Sequence, residues 1–166
     1  MSKNRTVENG STNDDWETPQ YVYDFLEDTY FENVEYFDPC PLKSKIDGLK
    51  IDWKQYNYIN PPYNAKGKVA FITKAYEESK KGKLCIMLIP ASTETKIFHE
   101  IIIPNATVIL IQRRIKFKGT NSKGIYVTDK SGQSGSMFVI FGSKEKKCIK
   151  TLTLPLTKAV NDDGNN

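Results

Sequence analysis

Two short, unbroken apolar runs constrain this chain more than any other feature. Residues 84–89 read Leu-Cys-Ile-Met-Leu-Ile and are closed by Pro90, and residues 106–111 read Ala-Thr-Val-Ile-Leu-Ile. Neither run alternates with polar residues along its length, so each predicts a strand buried on both faces, and a strand of that kind needs helices above and below its sheet. The rest of the chain supplies them. Pro19 stands just inside a helix start, and Tyr21, Val22, Phe25 and Leu26 recur at helical spacing, so 19–30 reads as an amphipathic helix. Residues 66–80 place Val69, Phe71, Ile72, Ala75 and Tyr76 on one side and stop at Gly82, and 95–103 reads as a further helix. Shorter strands are predicted at 34–37, 48–53, 57–59 and 137–141. This alternation of helix and strand argues for an open α/β sheet, whose ligands lie outside the carboxyl ends of its strands.

A length of 166 residues is that of one domain, and neither an internal repeat nor a Gly- or Pro-rich linker divides it. The polar stretches 1–14 and 157–166 read as a flexible arm and tail around a single domain, 15–156. With 39% hydrophobic, 27% charged and 11% aromatic residues, the composition excludes a collagen, a coiled coil and a disordered chain. The apolar runs are far shorter than the roughly 20 residues of a membrane span. No charged start followed by an apolar stretch suggests secretion, and three cysteines (Cys40, Cys85, Cys148) cannot all pair with one another, so a reducing cytoplasm is expected. Charge is uneven: residues 1–60 carry 6 basic and 12 acidic side chains, whereas 112–150 carry 10 basic and 2 acidic. The basic third suits a polyanion, and a solvated lysine-rich surface is the plainer use of the same residues.

Four short motifs carry chemistry. Asn60-Pro61-Pro62-Tyr63 leaves the carboxyl end of the predicted strand 57–59. Two prolines fix two φ angles and remove two N–H donors, so the loop presents acceptors in a stiff frame. The amide oxygen of Asn60 and the carbonyl of Pro61 can each accept one hydrogen of a planar amino group, while the ring of Tyr63 stacks on the attached π system. A rigid turn is the alternative use. Asp38-Pro39-Cys40-Pro41 stands at another strand end, where a carboxylate can meet a hydroxyl or ammonium, and Asp52-Trp53 puts an acceptor beside a large flat ring. A turn and a core tryptophan are the plainer readings of these two. Trp16-Glu17-Thr18-Pro19 opens the first helix, where free N–H groups and a hydroxyl can hold a carboxylate, or Thr18 simply caps the helix.

In this order, and within the 46 positions from 18 to 63, these motifs resemble the amino-group DNA methyltransferases that modify adenine at N6 with S-adenosylmethionine. Residues 89–100 (Ile-Pro-Ala-Ser-Thr-Glu-Thr-Lys-Ile-Phe-His-Glu) and Arg114-Ile115-Lys116-Phe117 are similar to segments of the phage-type Dam family, and the likeness spans 14–142. The resemblance implies a reduced Rossmann-like methyltransferase sheet, mostly parallel with an antiparallel last strand and helices on both faces. It further implies that Trp16, Thr18 and Pro19 meet the methionine end of the cofactor, that Asp38, Pro39 and Cys40 line its pocket, and that Asp52 and Trp53 receive its adenosine. Asn60, Pro61, Pro62 and Tyr63 would hold the target adenine, with Phe117 as a second wall and Arg114 and Lys116 beside it on the basic segment. Double-stranded DNA is the implied partner, no metal is required, and the implied setting is a bacterial cytoplasm with the gene carried by a phage or prophage. Two departures stand out. Pro41-Leu42-Lys43 replaces the usual glycine-rich turn, and the interval from Asp38 to Asn60 is too short for a full helix and strand, so a shortened sheet is expected.

His99 is the single histidine, and its neighbours Ile97, Phe98 and Ile101 make it a structural or surface residue instead of a general base. The cysteines lack metal-ligand spacing. Two rival functions are a methyltransferase acting on a protein glutamine amide, which poses the same planar NH₂ problem, and a DNA-binding module without catalysis. The loop 117–136 is the expected place for groove contacts. Oligomeric state is not encoded in any feature of the sequence.

Overall fold

A computed structural model of the chain describes residues 16–42, 45–62, 64–120 and 124–154, so the arm 1–14 and the tail 157–166 lie outside the described residues. The two apolar runs become the strands β3 (Leu84–Pro90) and β4 (Ala106–Ile111). Their side chains alternate between two cores. Cys85, Met87, Ile89, Ala106 and Val108 face one core, whereas Ile86, Leu88, Ile109 and Ile111 face the other. On the first face lies α2 (Ala65–Lys80), through Phe71, Ile72 and Ala75. On the second lies α1 (Gln20–Leu26), continued by a π-helical turn (Glu27–Phe31), through Val22, Phe25, Leu26 and Phe31. The α/β class with helices on both faces therefore follows from the two-sided burial of these strands.

Strand pairing does not follow chain order. The main sheet runs β2-β3-β7-β4-β8, with β2 (Tyr56–Ile59), β7 (Ser136–Phe141) and β8 (Ile149–Leu152). β2 is parallel to β3 and β4 to β8, but β7 is inserted between β3 and β4 and runs antiparallel to both. The sheet is thus mixed. The strand expected last, 137–141, is antiparallel as anticipated (β7), but it lies at the centre of the sheet, and an unpredicted strand, β8, follows it and runs parallel to β4. An apolar run announces burial but not which neighbours it will pair with.

Other local expectations are also corrected. Residues 48–53 form no strand: Lys50 N–H bonds to Asp47 C=O (2.9 Å) in a turn, and Gly48 packs so tightly that a Cβ would stand 1.9 Å from the Pro39 carbonyl oxygen. Of 34–37 only Phe37 pairs, in a single parallel bridge with Asn57. The expected helix 95–103 is π-helical over Phe98–Ile102 and continues through α3 (Ile103–Asn105). The expected loop 117–136 is largely a hairpin of β5 (Lys116–Thr120) and β6 (Tyr126–Ser131), which joins β1 (Trp16–Glu17) in a second, antiparallel sheet. β6 and β8 escaped prediction because they are mostly exposed and polar, without the apolar pattern a covered strand imposes. Among the described residues, no helix is long and apolar enough to cross a membrane.

Candidate active site

The site is built where β2 ends. Asn57 is fully buried and its amide pins the start of the strand, donating to Lys54 C=O (2.8 Å) and Leu84 C=O (3.1 Å) while accepting from Lys54 N–H (3.0 Å). On the other flank Phe37 N–H donates to Tyr56 C=O (2.9 Å), and Tyr58 N–H donates to Phe37 C=O (3.0 Å). Asp38 and Asn60 therefore leave neighbouring parallel segments at one and the same carboxyl edge. Beyond Asn60, Pro61 is buried and Pro62 half-buried, and Asn64 caps α2 by accepting from Gly67 N–H (2.8 Å). The proline turn is anchored at both ends. Tyr63 lies outside the described residues.

Thr18 is the hub of the edge. It directly follows β1 and is buried, and its hydroxyl shares a hydrogen bond of 2.9 Å with the Tyr58 hydroxyl and accepts one from Asn60 Nδ2 at 3.3 Å. Thr18 does not cap α1; the N-cap is Pro19, with no side-chain cap bond. The other half of the Asn60 amide, Oδ1, is buried with no hydrogen-bond partner among the described residues. A buried unpaired acceptor is costly, of order 1–3 kcal/mol, and is expected where a donor arrives from outside.

Three tyrosines pack together beside Thr18. Tyr23 meets Tyr58 edge-on at 5.3 Å, Tyr36 meets Tyr58 at 6.3 Å, and Tyr23 stacks on Tyr36 at 6.5 Å. Burial pushes the Tyr23 phenol up; its hydrogen bond with Thr18 opposes this, and the carboxylates of Asp38 and Glu17 raise it further. Tyr36 is raised by burial first, then by Tyr23, Glu27 and Asp38. Burial also lifts the Asp38 carboxyl above its ordinary range, against the N–H of Cys40, which donates to Oδ1 at 2.7 Å. Motif reading missed these tyrosines. The available signal was the spacing Tyr36-x-Asp38 and Tyr58-x-Asn60, since residues two apart on a strand share a face.

The remaining anticipated residues are placed as follows. Trp16 is half-buried against the second core, and Pro19 and Pro39 are buried. Cys40 is half-buried, and neither it nor Cys85 nor Cys148 forms a disulfide. Trp53 is 3% exposed, donates its indole N–H to Gly48 C=O (2.8 Å) and stacks with Phe71 at 6.3 Å, so its ring belongs to the first core while Asp52 beside it is exposed. Phe117 is 4% exposed in the second core with Ile115. Arg114 and Lys116 are exposed, reaching Gly132 C=O (3.2 Å) and Ser131 Oγ (2.7 Å). The basic third divides in space: Arg113, Arg114, Lys116 and Lys130 lie in or beside the hairpin near the carboxyl edge, whereas 144–147 follow β7 at the opposite edge. His99 is exposed, edge-on to Phe98. Among the described residues, no three of His, Cys, Asp and Glu gather as a metal-binding group.

A family model described as DNA N-6-adenine-methyltransferase (Dam) matches residues 5–166 of this chain. No curated protein and no solved structure is found to match it.

Proposed function

The chain belongs to the Dam family of DNA N-6-adenine-methyltransferases, and from that premise we propose that it moves a methyl group from S-adenosylmethionine to N6 of an adenine flipped out of double-stranded DNA. The observation that carries the proposal is the buried Oδ1 of Asn60 at the carboxyl edge of the sheet, which has no partner among the described residues. The mixed sheet, with four strands running one way and β7 returning, is read as a shortened Rossmann-like frame for this site.

Asp38, Pro39 and Cys40, with the exposed Asp52, would hold the cofactor. Their character fits it: burial raises the Asp38 carboxyl, and an ammonium group placed beside it would relieve that cost. When bound, S-adenosylmethionine supplies an activated methyl on a sulfonium, so the protein's task is alignment and preparation of the acceptor. The lone pair of the adenine N6 is conjugated into the ring. Asn60 Oδ1 would accept one N6 hydrogen and the Pro61 carbonyl the other, which favours a pyramidal amine and stabilises the positive charge that develops there. Because Oδ1 is already desolvated, its dipole acts at full strength without first shedding water. Flipping the base costs a few kcal/mol; stacking on Tyr63 and phosphate contacts from Arg114 and Lys116 would offset it.

The test is incubation with tritiated cofactor and plasmid DNA, followed by digestion to nucleosides. Label in N6-methyladenine is expected, and Asn60→Ala should lower the rate by about 10²-fold or more. Label appearing in a protein glutamine amide in place of DNA, or DNA binding without any transfer, would reject the assignment.

A further inference from the structure

An asparagine amide can turn over about its last side-chain torsion with almost no change of shape, exchanging a double acceptor for a double donor. For the reaction proposed above only one orientation is useful, because Nδ2 facing the adenine amine would set donor against donor. Asn60 therefore needs a neighbour that selects the orientation. Its Oδ1 has no partner among the described residues, and its Nδ2 bonds to Thr18 Oγ1. Thr18 is itself immobilised: it is 9% exposed, it leads out of β1, and its hydroxyl is tied to that of Tyr58, which is 1% exposed. Whichever of these two hydroxyls donates to the other, their bond uses at most one lone pair of Thr18 Oγ1, and Asn60 Nδ2 donates to that oxygen.

We infer that Thr18 is a positioning residue, whose hydroxyl, fixed by Tyr58, holds the nitrogen of the Asn60 amide and so leaves the oxygen facing the substrate amine. The inference rests on the methyltransferase reading of Asn60, and it gives Thr18 a duty different from the cofactor contact suggested by family resemblance. The two duties have opposite kinetic signatures. A residue that orients Asn60 acts on the reacting amine and affects kcat, whereas a cofactor contact affects KM for S-adenosylmethionine.

Thr18→Val keeps the shape and removes the hydroxyl. It is expected to lower kcat about 5- to 10-fold, the Boltzmann weight of one hydrogen bond, with KM for the cofactor unchanged. Thr18→Ser should restore most of the loss, and Tyr58→Phe, which removes the hydroxyl bonded to that of Thr18, should lower kcat by a smaller factor in the same direction. Tyr58→Phe carries the test if Thr18→Val fails to fold. A raised cofactor KM at unchanged kcat, or wild-type kinetics in both variants, would overturn the inference while leaving the proposed function standing. Absence of N6-methyladenine with the unaltered protein would overturn both.

Discussion

Glu78→Gln is expected to weaken the fold near neutral pH, and the loss should fade in acid. Glu78 sits on α2 with its side chain 1% exposed, and it receives Lys74 Nζ at 2.9 Å, Lys81 Nζ at 2.9 Å and also Lys83 Nζ. Burial pushes its carboxyl up, but the hydrogen bonds from Lys74, Lys83 and Lys81 outweigh burial and hold the pKa at about 2, against an ordinary 4.5. A carboxyl depressed in the folded state contributes its full stability above the unfolded pKa and loses it as pH falls through the folded one, here between about 5 and 2. The depression corresponds to about 3 kcal/mol at neutral pH, and solvent screening of the half-exposed Lys81 reduces this to about 2–3 kcal/mol. In a chain of this size that is a fall of roughly 5–10 °C in Tm. Urea unfolding of both proteins at pH 7 and pH 3 would measure it, with less than half of the difference remaining at pH 3. Equal stability at pH 7, or a gap as wide at pH 3, would refute the reasoning. Lys83 Nζ also donates to Trp53 C=O, so the same variant should loosen the segment that carries Asp52.

Gly48→Ala should cost at least about 2 kcal/mol and weaken cofactor binding measured by calorimetry, because its Cβ would meet the Pro39 carbonyl oxygen at 1.9 Å; unchanged melting and affinity would contradict the packing. Phe117→Ala should destabilise by about 3–5 kcal/mol, since the ring is 4% exposed in the core, whereas unchanged melting with lost DNA affinity would make it a wall of the base pocket instead. For Arg114→Ala with Lys116→Ala, the slope of log affinity for DNA against log salt should become shallower by about 2; an unaltered slope would remove both side chains from phosphate contact.

How far the fold could be read in advance followed burial closely. β3, β4, β7 and α2 were legible because each packs on both or one well-defined face, and that burial demands an apolar run or a 3.6-residue stripe. The helix at 19–30 was found for the same reason, although its second half winds as a π-turn closed by Glu32 and Asn33 at φ 48° and 67°. β1, with two residues, and the exposed strands β6 and β8 impose no such pattern. At the site, Asn60 and Asp38 were legible as polar residues beside prolines at strand ends. Trp53 drew attention as a flat ring, yet its indole is bonded to Gly48 within the core.

Taken alone, the order of residues settled that two apolar strands must be sandwiched between helices, and that a stiff acceptor turn follows one strand end, because burial and proline geometry act over a few neighbouring residues. Tertiary structure decided what depends on distant partners: the insertion of β7 between β3 and β4, the separation of the basic third to two edges, and the orientation of the Asn60 amide. That last feature comes from Thr18, 42 positions away, through a hydrogen bond that exists only once the residue following β1 has been brought to the end of β2.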